Sequence, residues 1–169
     1  MIENAKKDQQ STNAEWELPK SKIDGVIFRE SKNIITSNGH TTEGYREDWH
    51  LHDEKIRHII SVNLRQNAIS AWHIHKFQID HIFVIAGTLQ VALYDDREDS
   101  SSYKQLEVRN ISHLRPGVLV IPPGIWHGLK NISDKESIFI NYFNNAYRYD
   151  DPDEYRLPVD SDKIPFSFK

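Results

Sequence analysis

Three histidines and one aspartate have the residue types and the spacing that metal binding or proton transfer requires. His73 and His75 are two residues apart, so an extended strand would point both imidazoles to the same side. Asp80 follows shortly after, and a rigid Pro-Pro-Gly turn at residues 122–124 leads to His127. We therefore expect three imidazoles and one carboxylate to face a common interior.

The donor types limit the chemistry of such a site. The sequence contains no cysteine, so neither disulfide bonds nor thiolate ligands are available. Imidazoles and a carboxylate with open coordination positions suit Fe, Mn, Ni or Zn. Imidazoles can also transfer protons near neutral pH without a metal. The orientation of Asp80 decides between these alternatives, because a bulge would turn its side chain to the other face.

The segments around these residues predict a barrel of short β-strands. Roughly ten stretches rich in β-branched and aromatic residues, one of them at 103–108, alternate with turn signals such as Gly87 and Arg115-Pro116-Gly117. No long amphipathic helix pattern interrupts them. This combination favours an all-β barrel or jelly roll. With 169 residues, 38% of them hydrophobic, the chain suits one compact domain.

Both ends of the chain differ in composition from the predicted barrel. Residues 1–20 are polar and offer little to bury, so we expect a flexible arm followed by a domain at residues 21–169. The tail from Asn144 onward is rich in Pro, Asp and Tyr, and we expect it to wrap the outside of the barrel. A second His-x-His pair, His50 and His52, lies in a polar stretch without a strand pattern. We interpret that pair as part of a solvated loop or lid.

Charge and hydropathy argue against two classes of partner. The net charge is -4 and no long basic run occurs, so nucleic acid is not an expected partner. No stretch approaches the length of a membrane span, and the N-terminus is polar instead of a charged end followed by an apolar run. We therefore expect a cytoplasmic protein that acts on a small molecule, away from membranes.

Two motifs, in the expected order, resemble those of the cupin superfamily. The first is His73-x-His75 followed by Asp80 and Gly87, with aspartate where glutamate is usual. The second consists of Gly117, Pro122, Gly124, His127 and Asn131. The resemblance implies a single-domain cupin, which is a double-stranded β-helix or jelly-roll barrel. It also implies metal ligands on the inner wall, at His73, His75, Asp80 and His127.

A narrower resemblance, from about residue 56 to residue 168, is to the dTDP-4-dehydrorhamnose 3,5-epimerase family. It rests on the stretches V-A-L-Y-D-D-R-E-D-S-S-S-Y, P-P-G-I-W-H-G, N-Y-F-N-N-A-Y and V-D-S-D-K-I-P-F. By this resemblance the substrate is a nucleotide-linked 4-keto-6-deoxysugar, His73 is the catalytic base and Tyr142 is the acid. One group removes the proton beside the ketone, and the other reprotonates the enolate from the opposite face. The family also implies a homodimer.

The chain departs from that family at three places. The family's Arg-Gly-x-His run reads Ser70-Ala71-Trp72-His73 here, and its catalytic lysine falls at or near Asp80. Its C-terminal aspartate, which pairs with the histidine base, has no counterpart in the sequence. A neighbouring group, the nucleotide-sugar 3,4-ketoisomerases, is similar at His73-Ile74-His75-Lys76. That likeness gives His75 a share in proton transfer.

Further residues are candidates for substrate binding. Arg57 and Arg65 could bind an anionic group, and Trp72 and Trp126, which flank the histidines, could line the mouth of the pocket. Taken together, these observations favour an isomerase. Two alternatives stay open: a metal-dependent cupin with one divalent ion that acts as an oxygenase or isomerase on another small molecule, and a non-catalytic sugar-binding cupin.

Overall fold

A computed structural model describes residues 5–7 and 10–169 of the chain. In these residues twelve strands and one short 3-10 turn, Glu47–Trp49, make up the regular structure. The strands are β1 (Ile27–Glu30), β2 (Ile34–Thr36), β3 (Gly39–Thr41), β4 (His58–Leu64), β5 (Ile69–Ile74), β6 (Asp80–Ala86), β7 (Thr88–Asp95), β8 (Leu106–Ser112), β9 (Gly117–Ile121), β10 (Ile125–Asn131), β11 (Ser137–Phe143) and β12 (Tyr155–Arg156). Within the described ranges, no helix is long and apolar enough to cross a membrane.

The strands form two five-stranded antiparallel sheets that face each other. The first sheet has the order β1-β9-β6-β11-β4, and the second has the order β12-β5-β10-β7-β8. Strands β2 and β3 form a separate hairpin. The predicted all-β barrel is therefore confirmed. Strand β8 begins later than the predicted strand at 103–108, because Lys104, with a φ of 62°, still belongs to the preceding turn.

Apolar side chains from the facing sides of the two sheets form the main core. In the first sheet Ile82 pairs with Leu119, and Val84 pairs with Phe139. The second sheet contributes mainly from β7 and β10. The fully or nearly fully buried members are Ile23, Val26, Ile82, Val84, Leu89, Val91, Leu93, Ile111, Leu119, Ile121, Ile125, Leu129 and Phe139. Burying each large side chain contributes about 1.5–3 kcal/mol to folding.

A second apolar cluster lies on the outside of the second sheet. Trp72 and Tyr94 there are covered by Ile164 and Phe168 from the C-terminal tail. The tail therefore wraps the barrel as predicted. The predicted flexible arm at residues 1–20 lies partly outside the described residues, and its described part contains no strand or helix.

The strand register separates the two ends of the barrel. Phe143, at the end of β11, pairs with His58 on one side and with Asp80 on the other. Ser137, at the start of β11, pairs with Leu64. The turn at Gly87 lies near this Ser137 end, where a Cβ atom would collide with the Ser137 hydroxyl and where φ is +81°. Residues at the start of β4 and of β6 therefore share the end of the barrel where Asp80 lies.

Candidate active site

The strand register brings the four predicted site residues to one end of the barrel interior. Side chains alternate along β5, so Trp72 faces outward while His73 and His75 face inward. His73 pairs in register with His127 on β10. Asp80, at the start of β6, lies on the same face as the core residue Ile82. The sequence left the orientation of Asp80 open, and in the structure its side chain points inward.

Asp80 is almost fully buried and lies between two of the histidines. Its Oδ2 is 3.1 Å from His127 Nε2 and 3.3 Å from His75 Nε2. Its Oδ1 accepts hydrogen bonds from Gln78 at 2.9 Å and from Asn141 at 3.3 Å. Burial alone would raise the pKa of Asp80, but the hydrogen bonds and charges of the two histidines lower it far below its usual range. Asp80 is therefore ionised in the folded protein.

Backbone carbonyls fix the orientation of both histidines that contact Asp80. His75 Nδ1 contacts the carbonyl oxygen of Asp153, and His127 Nδ1 is 3.1 Å from the carbonyl oxygen of Ile125. Each Nδ1 can therefore donate a proton to a carbonyl, which leaves both Nε2 atoms aimed at Asp80. Burial opposes a charge on His75, but the carboxylate of Asp80 outweighs it and raises the pKa of His75 above its ordinary value.

This arrangement has the donor set of a metal site with three ligands. One nitrogen of His75, one of His127 and an oxygen of Asp80 lie within 4.8 Å of one another. Two imidazoles and a carboxylate suit Fe, Mn, Ni or Zn, and a ligand histidine usually donates a hydrogen bond from the ring nitrogen that does not bind the metal. His73 does not belong to this group among the described residues. Of the four predicted ligands, the structure brings together His75, Asp80 and His127, whereas His73 contacts Glu154 instead.

His73 is paired with a carboxylate that comes from the C-terminal tail. Its Nδ1 is 2.9 Å from Glu154 Oε1, and its Nε2 is 3.1 Å from the Ser70 hydroxyl. Burial lowers the pKa of His73, and Glu154 offsets this only in part. The hydrogen bond to His73, aided by Arg156, lowers the pKa of Glu154 to about 2. The resting state is thus a largely neutral imidazole oriented by a carboxylate.

Sequence reasoning missed Glu154, the acid that contacts His73. Residues 153–156 cross the end of β5, where Tyr155 pairs with Ile74 and Arg156 with His73. The contact joins residues 81 positions apart, and no periodic pattern marks it. The available signal was compositional, since acidic residues in a wrapping tail are candidates to meet the inward histidines at the strand edge.

The predicted catalytic role of Tyr142 is contradicted by its placement. Tyr142 pairs with His81, and His81 lies on the opposite face of β6 from Asp80. The ring of Tyr142 packs near Tyr45, with centroids 6.1 Å apart, on the outside of the first sheet. Its neighbour Asn141 faces the interior instead and contacts Asp80. The prediction was wrong because a strand exposes adjacent residues to opposite faces.

The four predicted substrate-binding residues have different positions. Arg57 is exposed and precedes β4 at the Asp80 end of the barrel, where its N–H donates to the Phe143 carbonyl. Arg65 follows the other end of β4, so its position contradicts a role in this site. Trp72 is fully buried beneath the tail and cannot contact a substrate here, which corrects that prediction as well.

Trp126 is the one predicted aromatic that borders an open space. It is half-buried and lines a pocket of about 550 Å³ together with Tyr155, Pro123 and the His75 end of β5. The turn at Gly124, with a φ of +80°, brings its N–H to 2.8 Å from the His75 carbonyl. This contact ties the Pro-Pro-Gly turn to the first histidine strand.

Comparison with known proteins gives matches along nearly the whole chain. The family model described as dTDP-4-dehydrorhamnose 3,5-epimerase matches residues 20–168. "Probable low-salt glycan biosynthesis epimerase Agl13" of Haloferax volcanii is 39% identical over 139 residues, which cover 82% of this chain and 89% of that protein. "Spore coat polysaccharide biosynthesis protein SpsL" of Bacillus subtilis is 31% identical over 149 residues, which cover 86% of this chain and 96% of that protein.

Solved structures agree with the fold. A dTDP sugar isomerase from Desulfovibrio desulfuricans G20 superposes with a TM-score of 0.80 and 25% identity, covering 86% of this chain and 91% of that one. ChmJ, a 3'-monoepimerase from Streptomyces bikiniensis in complex with dTDP-quinovose, superposes with a TM-score of 0.77 at 14% identity, covering 87% and 76% of the two chains. The predicted cupin barrel is therefore confirmed.

Proposed function

The chain belongs to the dTDP-4-dehydrorhamnose 3,5-epimerase family, and we propose that it epimerises a nucleotide-linked 4-keto-6-deoxysugar by proton transfer at His73. Its relatives are named for glycan and spore coat polysaccharide biosynthesis, which agrees with such a substrate. The family and these relatives give no support to the oxygenase or to the non-catalytic sugar-binding module. The contact between His73 and Glu154 is the observation on which the proposed mechanism rests.

His73 is the proposed base. Glu154 accepts the hydrogen bond of the Nδ1–H, so Nε2 carries the lone pair, which can take a proton from the carbon beside the sugar ketone once the Ser70 hydroxyl, 3.1 Å away, moves aside. Burial keeps the pKa of His73 low, so the imidazole is neutral near physiological pH. When Nε2 takes the proton, the carboxylate of Glu154 stabilises the resulting imidazolium. Base and orienting carboxylate thus form one unit.

The cluster of His75, Asp80 and His127 is proposed to counter the negative charge that develops on the ketone oxygen. His75, whose pKa is raised, supplies positive charge there as an imidazolium. A divalent metal bound by the same three residues would polarise the ketone as a Lewis acid. With an imidazolium or with a metal, the cluster would stabilise the negative charge on the ketone oxygen. Elemental analysis of the protein and of His127→Ala distinguishes them, since a metal held there is lost in the variant.

Other parts of the prediction remain proposals. Because Tyr142 packs near Tyr45 on the outside of the first sheet, we propose His75 in its place as the proton donor for the opposite face of the sugar. Arg57 and Trp126 keep their proposed contacts with the substrate. Arg57 lies at the Asp80 end of the barrel, and Trp126 lines a pocket beside His75. The homodimer stays a prediction from the resemblance, and the cytoplasmic location stays a prediction from the composition of the chain.

Deuterium incorporation tests the proposed function. The protein is incubated in D2O with dTDP-linked and UDP-linked 4-keto-6-deoxyhexoses, and NMR follows the protons on both carbons beside the ketone. We expect exchange at one or both carbons, together with an epimerised product. Absence of exchange with all of these substrates would contradict the proposed function. Exchange at both carbons would identify a double epimerase, and exchange at one would identify a single epimerase.

A further inference from the structure

One segment of the C-terminal tail contacts both His73, on β5, and His75, directly after it. Asp153 contacts His75 through its carbonyl oxygen, and the next residue, Glu154, contacts His73 through its side chain. The two contacts lie side by side because β12 follows directly and pairs with the end of β5. Asp153 is therefore placed to affect the site through His75, although its own side chain does not point at Asp80.

The carboxylate of Asp153 is tied to the turn that follows His75. Its Oδ1 accepts the backbone N–H of Lys76 at 2.9 Å, and its Oδ2 accepts those of Phe77 at 2.8 Å and Gln78 at 2.9 Å. Three N–H donors on one carboxylate fix both the side chain and the turn. The position of the Asp153 main chain is therefore set by its own side chain.

The fixed main chain of Asp153 directs its carbonyl oxygen at His75 Nδ1. A carbonyl oxygen can only accept, so it selects the state of His75 in which Nδ1 carries a proton. Nε2 is then directed at Asp80 Oδ2, at 3.3 Å, and lies 3.2 Å from the side-chain nitrogen of Gln78. The backbone carbonyl of His75 accepts a hydrogen bond from the Gly124 N–H, which also fixes the main chain of His75.

We infer that Asp153 is a positioning residue for His75, which it holds with a proton on Nδ1 and with Nε2 directed at Asp80. The inference rests on the proposed function in which His75 serves proton transfer or charge stabilisation. The competing explanation is that Asp153 only closes the turn at residues 76–78. In that case its removal would affect folding but would leave the ring of His75 unchanged.

Histidine ¹⁵N NMR of the full chain tests this directly, because the shifts of the two ring nitrogens report which of them carries the proton. Wild type and the control Asp150→Ala should show His75 with a proton on Nδ1. Asp150 is an exposed acid of the same tail segment. In Asp153→Ala we expect a shift toward the state with the proton on Nε2 alone, and a smaller shift in Asp153→Asn, whose amide can still accept one backbone N–H. An unchanged His75 signature in Asp153→Ala would overturn the inference.

Kinetics give the second measurement. Loss of an orienting partner typically costs about 10- to 100-fold in activity, so we expect kcat for Asp153→Ala to fall by that factor with KM little changed. Asp153→Asn should recover part of the loss. In the double variant with His75→Ala, removal of Asp153 should have little additional effect; a full additional loss would overturn the inference.

If Asp153→Ala fails to fold, Asp153→Asn carries both measurements. If wild type turns over no keto-sugar, the proposed function fails, while the NMR signature still tests Asp153.

Discussion

The chain contains two His-x-His pairs, and the structure places them in different surroundings. His73 on β5 and His75, directly after it, face the barrel interior, where carboxylates and a carbonyl hold their ring nitrogens. His50 is exposed in a loop, and His52 packs over His81 on the outside of the first sheet, with ring centroids 4.4 Å apart. Identical spacing thus gives a site in one place and a packing contact in the other.

The difference lies in the partners of the histidines more than in their burial. His81 is fully buried, yet its Nε2 and that of His52 have no hydrogen-bond partner among the described residues. His81 Nδ1 is 2.9 Å from the Tyr142 carbonyl, and His52 Nδ1 accepts an N–H from Glu54. In the part of the chain that the structure describes, the histidines in ion-pair contact with a carboxylate are His73, His75 and His127. Burial lowers the pKa of His81 to about 4. His52 and His81 are therefore neutral, whereas the inner cluster is built around an ionised Asp80.

The largest effect should come from removing the centre of the inner cluster. Asp80→Ala leaves His75 and His127 facing each other without their shared carboxylate, and breaking a buried charged pair costs about 3 kcal/mol or more. Urea unfolding should show this loss. Asp80→Asn, which keeps the shape and one acceptor, should lose less. Equal stability of Asp80→Ala and wild type would show that the cluster is not held together by charge.

The second largest effect should come from removing the charge of Glu154, the carboxylate that orients His73. Glu154→Gln removes the negative charge beside Nδ1, so we expect kcat to fall about 10- to 100-fold with KM little changed. Glu98→Gln removes a charge from an exposed residue in the turn after β7 and serves as the control. If the two variants have the same kcat, the pairing of Glu154 with His73 has no part in proton transfer.

His81, which packs against His52 on the outside of the first sheet, should affect the pH dependence of stability and not the reaction. The pKa of His81 is about 4 in the folded protein and about 6.5 in the unfolded chain. The unfolded state therefore binds the proton first, and stability falls as the pH drops from about 6.5 toward 4. His81→Leu should reduce the loss of stability between pH 7 and pH 5 by about 2 kcal/mol. Unfolding midpoints at both pH values measure this, and parallel losses in variant and wild type would contradict it.

The sequence was sufficient for the parts of the site that depend on local alternation. A period of two placed His73 and His75 on one face, and the Pro-Pro-Gly turn correctly marked the approach of His127. Tyr142 failed because the choice between it and Asn141 depends on the register of β11 with β6, which local pattern does not reveal. Arg65 failed for a similar reason, since it follows the far end of a seven-residue strand.

The tail was the least predictable part. It was expected to wrap the barrel, and it does, but nothing local in Asp153 or Glu154 indicates that they reach β5. Their contacts depend on how the chain returns over the strand edge after Asn144, whose buried side chain bonds to Ile79 and Phe77. Long-range contacts of this kind have no periodicity to detect.

The most direct test of this account compares the two histidine pairs in one assay. Deuterium incorporation into a dTDP-linked 4-keto-6-deoxyhexose is measured for wild type, His73→Ala and His50→Asn. Asparagine is chosen because His50 has a φ of 48°, which asparagine tolerates. We predict that His73→Ala exchanges at least about 100-fold more slowly and that His50→Asn matches wild type. Exchange by His73→Ala at the wild-type rate would contradict the assignment of His73 as the base.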